Sequence, residues 1–329
     1  MSVVLSAFFL ANAPLVWLAY RRAGLPNAAA RAAAVSLGLP MLYALDRGNL
    51  VIPCFTVFVL AEGVLLSSPI ARGLATGLAL NFKPYLLIVA LPRFAGRRSA
   101  WILGCGAAGL AIYLVTLILE GAGTPIQLLR NVVFYGHSRS DGSQYWASFY
   151  YASSFWPLAH MAAAGFSFTR SFGPVGVAIL RASIEVAIRT AQFGAAACFL
   201  IACARPNRIH IPRFSALAAG LALTTITTGS AGYAEVFVLF LVFMEPWRGR
   251  VRPLILIAAY LLCIPFDFAL WPVSSEPTRA FLSGRIVEPQ FGVAIGQLTR
   301  PFLMLLIQFG LTALNLQDML GHAPQAKTV

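Results

Sequence analysis

Acidic residues are scarce in this sequence: Asp and Glu together number 11 against 24 Lys and Arg, and charged residues of either sign make up only 11% of 329 positions. Lysine is rarer still, found only at Lys83 and Lys327, so almost every positive charge is an arginine. A soluble domain of this length could not hide 59% apolar residues and a mean hydropathy of +0.78 inside one core, so lipid must cover part of the chain. Cys-x-x-Cys pairs are missing. Cys54, Cys105, Cys198, Cys203 and Cys263 fall within or at the ends of apolar runs and read as small packing residues rather than redox or metal groups. P-loop, G-x-S-x-G and H-E-x-x-H patterns are absent, and His137 and His160 lack the spacing and neighbouring acids of a metal site. No internal repeat and no soluble linker interrupts the chain, which reads as one integral membrane domain over 1–329.

What is present is a series of apolar windows at 2–20, 28–45, 50–68, 101–119, 187–204, 253–271 and 289–312. A bilayer core about 30 Å thick needs about 20 apolar residues per helix, and these runs do not alternate as barrel strands would. With the shorter segments between them, the expectation is an all-α, polytopic bundle of about ten or eleven spanning or re-entrant elements. The net charge of +13 does not point to nucleic acid, because the arginines punctuate the apolar runs instead of forming one basic face. Arg21/Arg22, Arg72, Arg93/Arg97/Arg98, Arg205/Arg208/Arg213 and Arg248/Arg250/Arg252 instead mark cytoplasmic loops. The first helix, with no Lys or Arg before it, is expected to be retained rather than cleaved.

Orientation then follows. Asp46-Arg47-Gly48-Asn49 emerges on the far side, between the second and third helices. Segment 73–91 is long enough for one crossing yet has arginines beyond both ends, and its middle reads Asn81-Phe82-Lys83-Pro84-Tyr85. Proline disfavours helix at the residue before it, so two half-helices in a re-entrant hairpin would put both charge clusters on one side. The region 120–186 is expected to be extracytoplasmic, with Tyr135, His137, Arg139, Asp141, Tyr145 and Trp146 suited to a membrane interface. A turn around 227–233 and a loop at 272–288 should face the same side.

Among polar residues, Lys83 between apolar runs should face water, a carboxylate or a phosphate, although a lysine capping a re-entrant turn would look the same. Asp46 and Arg47 sit beside a glycine and an asparagine, as a simple helix connection would, but with Lys83 they supply a carboxylate for deprotonation and two cations for a phosphate. Arg130, Arg139, Arg170 and Arg181 add positive charge to the outer region, fitting an anionic lipid headgroup. Glu62, inside the third window, either pairs with a neighbouring helix or lines a cavity.

The stretch Leu45-Asp46-Arg47-Gly48-Asn49-Leu50, followed by an apolar helix, a basic turn at Arg72, then Lys83-Pro84-Tyr85 and Pro92-Arg93, resembles glycosyltransferase family 87 over roughly residues 28–120. That family belongs to the GT-C class of membrane enzymes that use polyprenyl-phosphate sugars. The resemblance implies a GT-C-like fold in a bacterial inner membrane and sugar transfer from a polyprenyl-phosphate donor to a glycan or lipid acceptor outside, with no cofactor and no metal. It implies Asp46 or Asp141 as catalytic acids and Arg47, Asn49, Lys83, Tyr85 and Arg139 as substrate-binding residues. The family's acidic residue lies in its first outer loop, whereas Arg21–Asn27 here is basic and acid-free. An acid elsewhere in this chain, an acid-bearing helix upstream of it, or a loss of catalysis would each account for that. Competing expectations are a transporter or lipid flippase, with Lys83 and Glu62 on the substrate path, and a noncatalytic partner in envelope polysaccharide assembly.

Overall fold

The structure, a computed structural model, describes residues 2–95, 99–120, 173–223, 232–273 and 291–321, together with 124, 126–127, 130, 278–279 and 286–287. The helices are Ser2–Arg22 (α1), Ala28–Leu37 (α2), Leu39–Asp46 (α3), Val51–Glu62 (α4), Pro69–Phe82 (α5), Leu87–Ala95 (α6), Ser99–Glu120 (α7), Gly173–Ala204 (α8), Ile211–Leu221 (α9), Glu235–Val242 (α10), Val251–Cys263 (α11) and Ile295–Leu320 (α12). Among the described residues five stretches, Val3–Arg22, Ala28–Asp46, Ser99–Ile118, Gly173–Ala204 and Thr299–Leu320, are long and apolar enough to cross a membrane. At 32 residues, α8 extends about 48 Å, well beyond a bilayer core of about 30 Å.

Several expected spans are shorter or broken, for local reasons. The window 50–68 yields a helix of only 12 residues, because Gly63 caps α4 in an extended conformation and Ser68-Pro69 starts the next helix, with Ser68 Oγ accepting from Ala71 N at 3.3 Å. The window 28–45 divides at Gly38, with Pro40 opening α3. The window 253–271 stops at Cys263, since Ile264 precedes Pro265 and turns extended. Beyond it two short antiparallel ladders are added to an otherwise helical bundle. Ala269–Val273 (β1) pairs antiparallel with Phe291–Ala294 (β4), and Thr278–Arg279 (β2) with Ile286–Val287 (β3). Asp267 ties this ladder to α12: its carboxylate accepts from Gly296 N at 2.9 Å and from Arg300.

The core is built around α10, whose eight residues are all buried. Phe237 and Phe240 meet Phe55 and Phe58 at ring distances of 5.0–6.1 Å, and Tyr20 donates its hydroxyl hydrogen to Phe240 O at 2.9 Å. α5 and α7 come almost into backbone contact. A Cβ on Gly73 would stand 2.2 Å from Trp101 O, and one on Gly77 would stand 2.6 Å from Cys105 O, the close approach that a small-x-x-x-small spacing permits between membrane helices.

The hairpin expected at 73–91 is borne out in its break. α5 ends at Lys83, which is extended (φ −142, ψ 92); a 3-10 turn follows at Pro84–Leu86, and α6 begins at Leu87. Glu62 then shows that the chain doubles back. Its carboxylate accepts two hydrogen bonds from Arg93, at 2.7 and 2.8 Å, while its backbone oxygen accepts from Arg72 at 3.5 Å. A straight helix would separate Arg72 from Arg93 by about 31 Å, too far for one residue to hold both. Arg22 reaches Leu65 O at 3.2 Å, placing the end of α1 at the same level.

A second hairpin has the same construction. Arg213, in the first turn of α9, gives a two-pronged contact of 2.7 and 2.8 Å to Glu245, which follows α10. Arg252 adds a bond of 3.1 Å to Glu245, Asp318 accepts from Arg213, and the buried Arg31 donates to Glu245 O at 2.8 Å and to Phe243 O. The arginine clusters at 22, 31, 72, 93, 213 and 252 are thus gathered at one end of the bundle, as the charge pattern required.

Candidate functional site

At the other end the tips of the two hairpins meet. Lys83 Nζ stands 5.8 Å from the ring centre of Tyr233, which lies in the 3-10 turn Gly232–Ala234 just before α10. Tyr233 is tilted 33° against Tyr43 at 5.8 Å, and the Arg47 guanidinium lies 5.3 Å over Tyr43. The order is cation, ring, ring, cation, built from three separate segments. Each cation–ring contact contributes about 0.5–2 kcal/mol.

The local chain explains the placement. Tyr43 and Arg47 are four residues apart, and Arg47 caps α3, so helical spacing sets one over the other. Gly48 has a positive φ of 58° and reverses the chain. Asn49 accepts at its side-chain oxygen from Val51 N at 3.0 Å at the start of α4. Asp46 is 67% exposed and lies 3.9 Å from Arg47, which is itself 39% exposed. Tyr85 packs edge-on to Phe237 at 6.4 Å near Tyr233, and its buried phenol oxygen has no hydrogen-bond partner among the described residues. Asp141 and Arg139 lie outside the described residues, as do Arg97, Arg98, Arg170 and most of 120–186.

Of the residues expected from sequence, Asp46, Arg47, Asn49, Lys83 and Tyr85 lie at one end, with the Asn49 side-chain oxygen bonded to the start of α4. Tyr43 was not anticipated, and Tyr233 was expected only as the end of an outward-facing turn. The spacing of Tyr43 to Arg47 was a visible signal; the approach of Tyr233 was not. Glu62, left open between pairing and lining a cavity, pairs with Arg93 and belongs to the opposite end.

A cavity of 440 Å³ also opens at the arginine-rich end, lined by Ala204, Arg205, Pro206, Asn207, Arg208 and Leu320. Its two arginines donate to Met319 O, at 2.9 Å, and to Gly321 O, so they cap the C-terminus of α12. Among the described residues no three metal-ligating side chains come together. No family model, curated protein or solved structure matches the chain.

Proposed function

We propose that the protein is a multi-pass membrane glycosyltransferase of the GT-C kind, using a polyprenyl-phosphate sugar and an envelope glycan or lipid acceptor at the outer face of a bacterial inner membrane. The observation that carries this is the convergence of Arg47 and Lys83 on the Tyr43–Tyr233 pair, at the end of the bundle away from the arginine clusters. A phosphate bound between them gains charge-assisted hydrogen bonds from both cations, and the Tyr85 phenol supplies a third donor. The same cations stabilise the phosphate as it leaves the sugar. The exposed apolar sides of α7 and α8 suit lipid contact, and a polyprenyl chain has the same chemistry. Asp46, beside Arg47 and largely in water, orients that guanidinium.

The test is binding and sugar transfer with purified protein in lipid. Lys83→Met removes a contact worth about 1.5–3 kcal/mol and should weaken use of the donor tenfold or more. Lys83→Arg should restore part of it. Unchanged donor use in Lys83→Met and in an Arg47→Met variant would rule the site out.

Movement of a lipid-linked glycan across the membrane is a second reading, favoured by the two broken hairpins whose tips meet inside one bundle. Transport of a labelled polyprenyl-phosphate sugar into protein-containing vesicles, with no new glycosidic bond, would select it.

A further inference from the structure

The cavity at the arginine-rich end is built from two helix ends and one turn. α8 packs along α12, where a Cβ on Gly194 would stand 3.0 Å from Thr312 Cγ2, and both helices are long and apolar enough to cross a membrane. They finish at Ala204 and Leu320, which face the same cavity. Pro206 follows and opens the 3-10 turn Pro206–Arg208, closed by a bond of 3.0 Å from Arg208 N to Arg205 O. Side chains three residues apart eclipse in such a turn, so Arg205 and Arg208 come to one side and both line the space.

Capping of α12 does not balance the charge there. Two helix C-termini bring about half a negative charge each against two guanidiniums, which leaves about one positive charge. Asp318, the acid nearest along α12, accepts from Arg213, and Glu245 is held by Arg213 and Arg252; among the described residues neither Arg205 nor Arg208 meets a carboxylate. Each gives Nη1 to one carbonyl at the end of α12, out of the five N–H groups that a guanidinium carries. Asn207 adds an amide to the same wall, and the volume of 440 Å³ lies within the range of about 300–1,000 Å³ that small-ligand sites occupy. The approach from the membrane is apolar. Ile179, Val186, Phe193 and Leu200 recur every seven residues, are 62–73% exposed, and form one stripe down α8 towards Ala204, with Leu320 exposed at the end of α12.

We propose that this cavity holds the headgroup of an anionic phospholipid, with its phosphodiester between Arg205 and Arg208 and an acyl chain along Leu200 and Phe193. A basic pocket between membrane helices suits such a headgroup, and the planar guanidinium fork suits a phosphate. The one negative charge of a phosphodiester matches the positive charge left over at the two helix ends. A cavity at the ends of two lipid-facing helices takes its ligand from the adjoining leaflet, with no path through the bundle. The site stands at the end opposite Lys83 and Arg47 and does not depend on glycosyl transfer.

The experiment places the full chain in phosphatidylcholine nanodiscs and titrates in spin-labelled phosphatidylglycerol, with spin-labelled phosphatidylcholine as the neutral reference. The native protein should prefer phosphatidylglycerol by about twentyfold, and Arg205→Gln and Arg208→Gln should each lower that preference about fivefold, the worth of one basic residue near an anionic surface. The double variant should show none. Glutamine keeps a donor for the α12 carbonyls. Ala204→Phe, which fills the cavity and keeps both charges, should also lose the preference, and it serves where the arginine variants fail to fold. Arg248→Gln with Arg250→Gln, exposed at the same end and not part of the cavity, should change it by less than about twofold, because exposed charges are screened. Equal binding of the two lipids by the native protein, full preference in the double variant or in Ala204→Phe, or an equal loss in the Arg248 and Arg250 control would each overturn the site. Glycerophosphoglycerol, the same headgroup without acyl chains, should compete only at much higher concentration. Competition at equal concentration would give the cavity to a soluble phosphate compound, and a preference that appears only after residues 322–329 are removed would give it to the chain's own tail; either overturns the lipid assignment.

Discussion

At the arginine-rich end of the bundle, Arg93 and Arg213 are 4% and 3% exposed and each gives both prongs of its guanidinium to one glutamate; at the other end, Arg47 and Lys83 rest on tyrosine rings with Arg47 open to solvent. Cations are thus closed into carboxylate pairs at one end and laid on aromatic rings at the other. Charge neutralisation explains the difference. A buried guanidinium is tolerable only when a carboxylate meets its donors, and closing the base of a hairpin with such a pair fixes where its tip must lie. A cation laid on a ring keeps most of its hydrogen-bonding capacity for something else. The base pairs set where the tips lie.

The comparison breaks most completely if the two ends do not lie on opposite sides of a membrane. In a background with the native cysteines replaced, a cysteine in place of Asp46 should react fully with an impermeant thiol reagent added outside intact cells. A cysteine in place of Arg250, in the exposed turn before α11, should react only after permeabilisation. The reverse pattern would invert the map and remove the outer site.

A large energetic effect is expected at the base of the first hairpin. Glu62→Gln leaves the buried Arg93 without its counter-charge, a change that costs about 3–5 kcal/mol in such pairs. Thermal unfolding in detergent micelles should show it. Replacing both residues, Glu62→Gln with Arg93→Met, should recover much of the loss, because no uncompensated charge then remains. A small loss in the single variant would mean that the pair does not clamp the hairpin. Lys83→Met should leave the melting point nearly unchanged while weakening phosphate binding, the opposite division of effects.

How much of this was legible beforehand depends on the range over which each feature is decided. The break at Lys83 was visible, because the restriction on a residue before proline is local. So was the return of Arg93 to the side of Arg72, because charge placement across a bilayer is a property of whole segments. The early end of α4 at Gly63 was missed because a hydropathy window averages over a glycine, and the strand pairing of 269–273 with 291–294 was missed because it joins the two flanks of what read as one loop. Tyr233 was not singled out as a site residue for a different reason. It lies in the turn before the apolar run Val236-Phe237-Val238-Leu239-Phe240-Leu241-Val242, and only tertiary packing brings that turn against α3.

The smallest expected effect concerns His210, just before α9, and it tests whether the arginine-rich end behaves as a closed electrostatic unit. Burial, then the neighbouring Arg213, holds the His210 imidazole below its ordinary value, against the pull of Glu245 and Asp318 and with Arg252 adding to the depression. Glu245 responds in the other sense: burial alone would raise its carboxyl, but the hydrogen bonds from Arg213 prevail and keep it below the usual carboxylate range. For His210 the folded chain resists a proton that the unfolded chain accepts, so stability is level above the ordinary imidazole value of about 6.5 and declines as the pH falls below it. For Glu245 the loss begins only below about pH 4.3, so between there and about pH 6.5 the decline belongs to His210. With a side chain 35% exposed, His210 is partly screened, and its slope should stay well under the limit of about 1.4 kcal/mol per pH unit for one proton. Melting points measured from pH 8 down to 5 should therefore be flat and then fall gently in the native protein. In His210→Gln the fall should disappear over that range. A native profile flat throughout that range would show that His210 takes up its proton equally in the folded and unfolded chain, and that Arg213 does not govern the charge at this end.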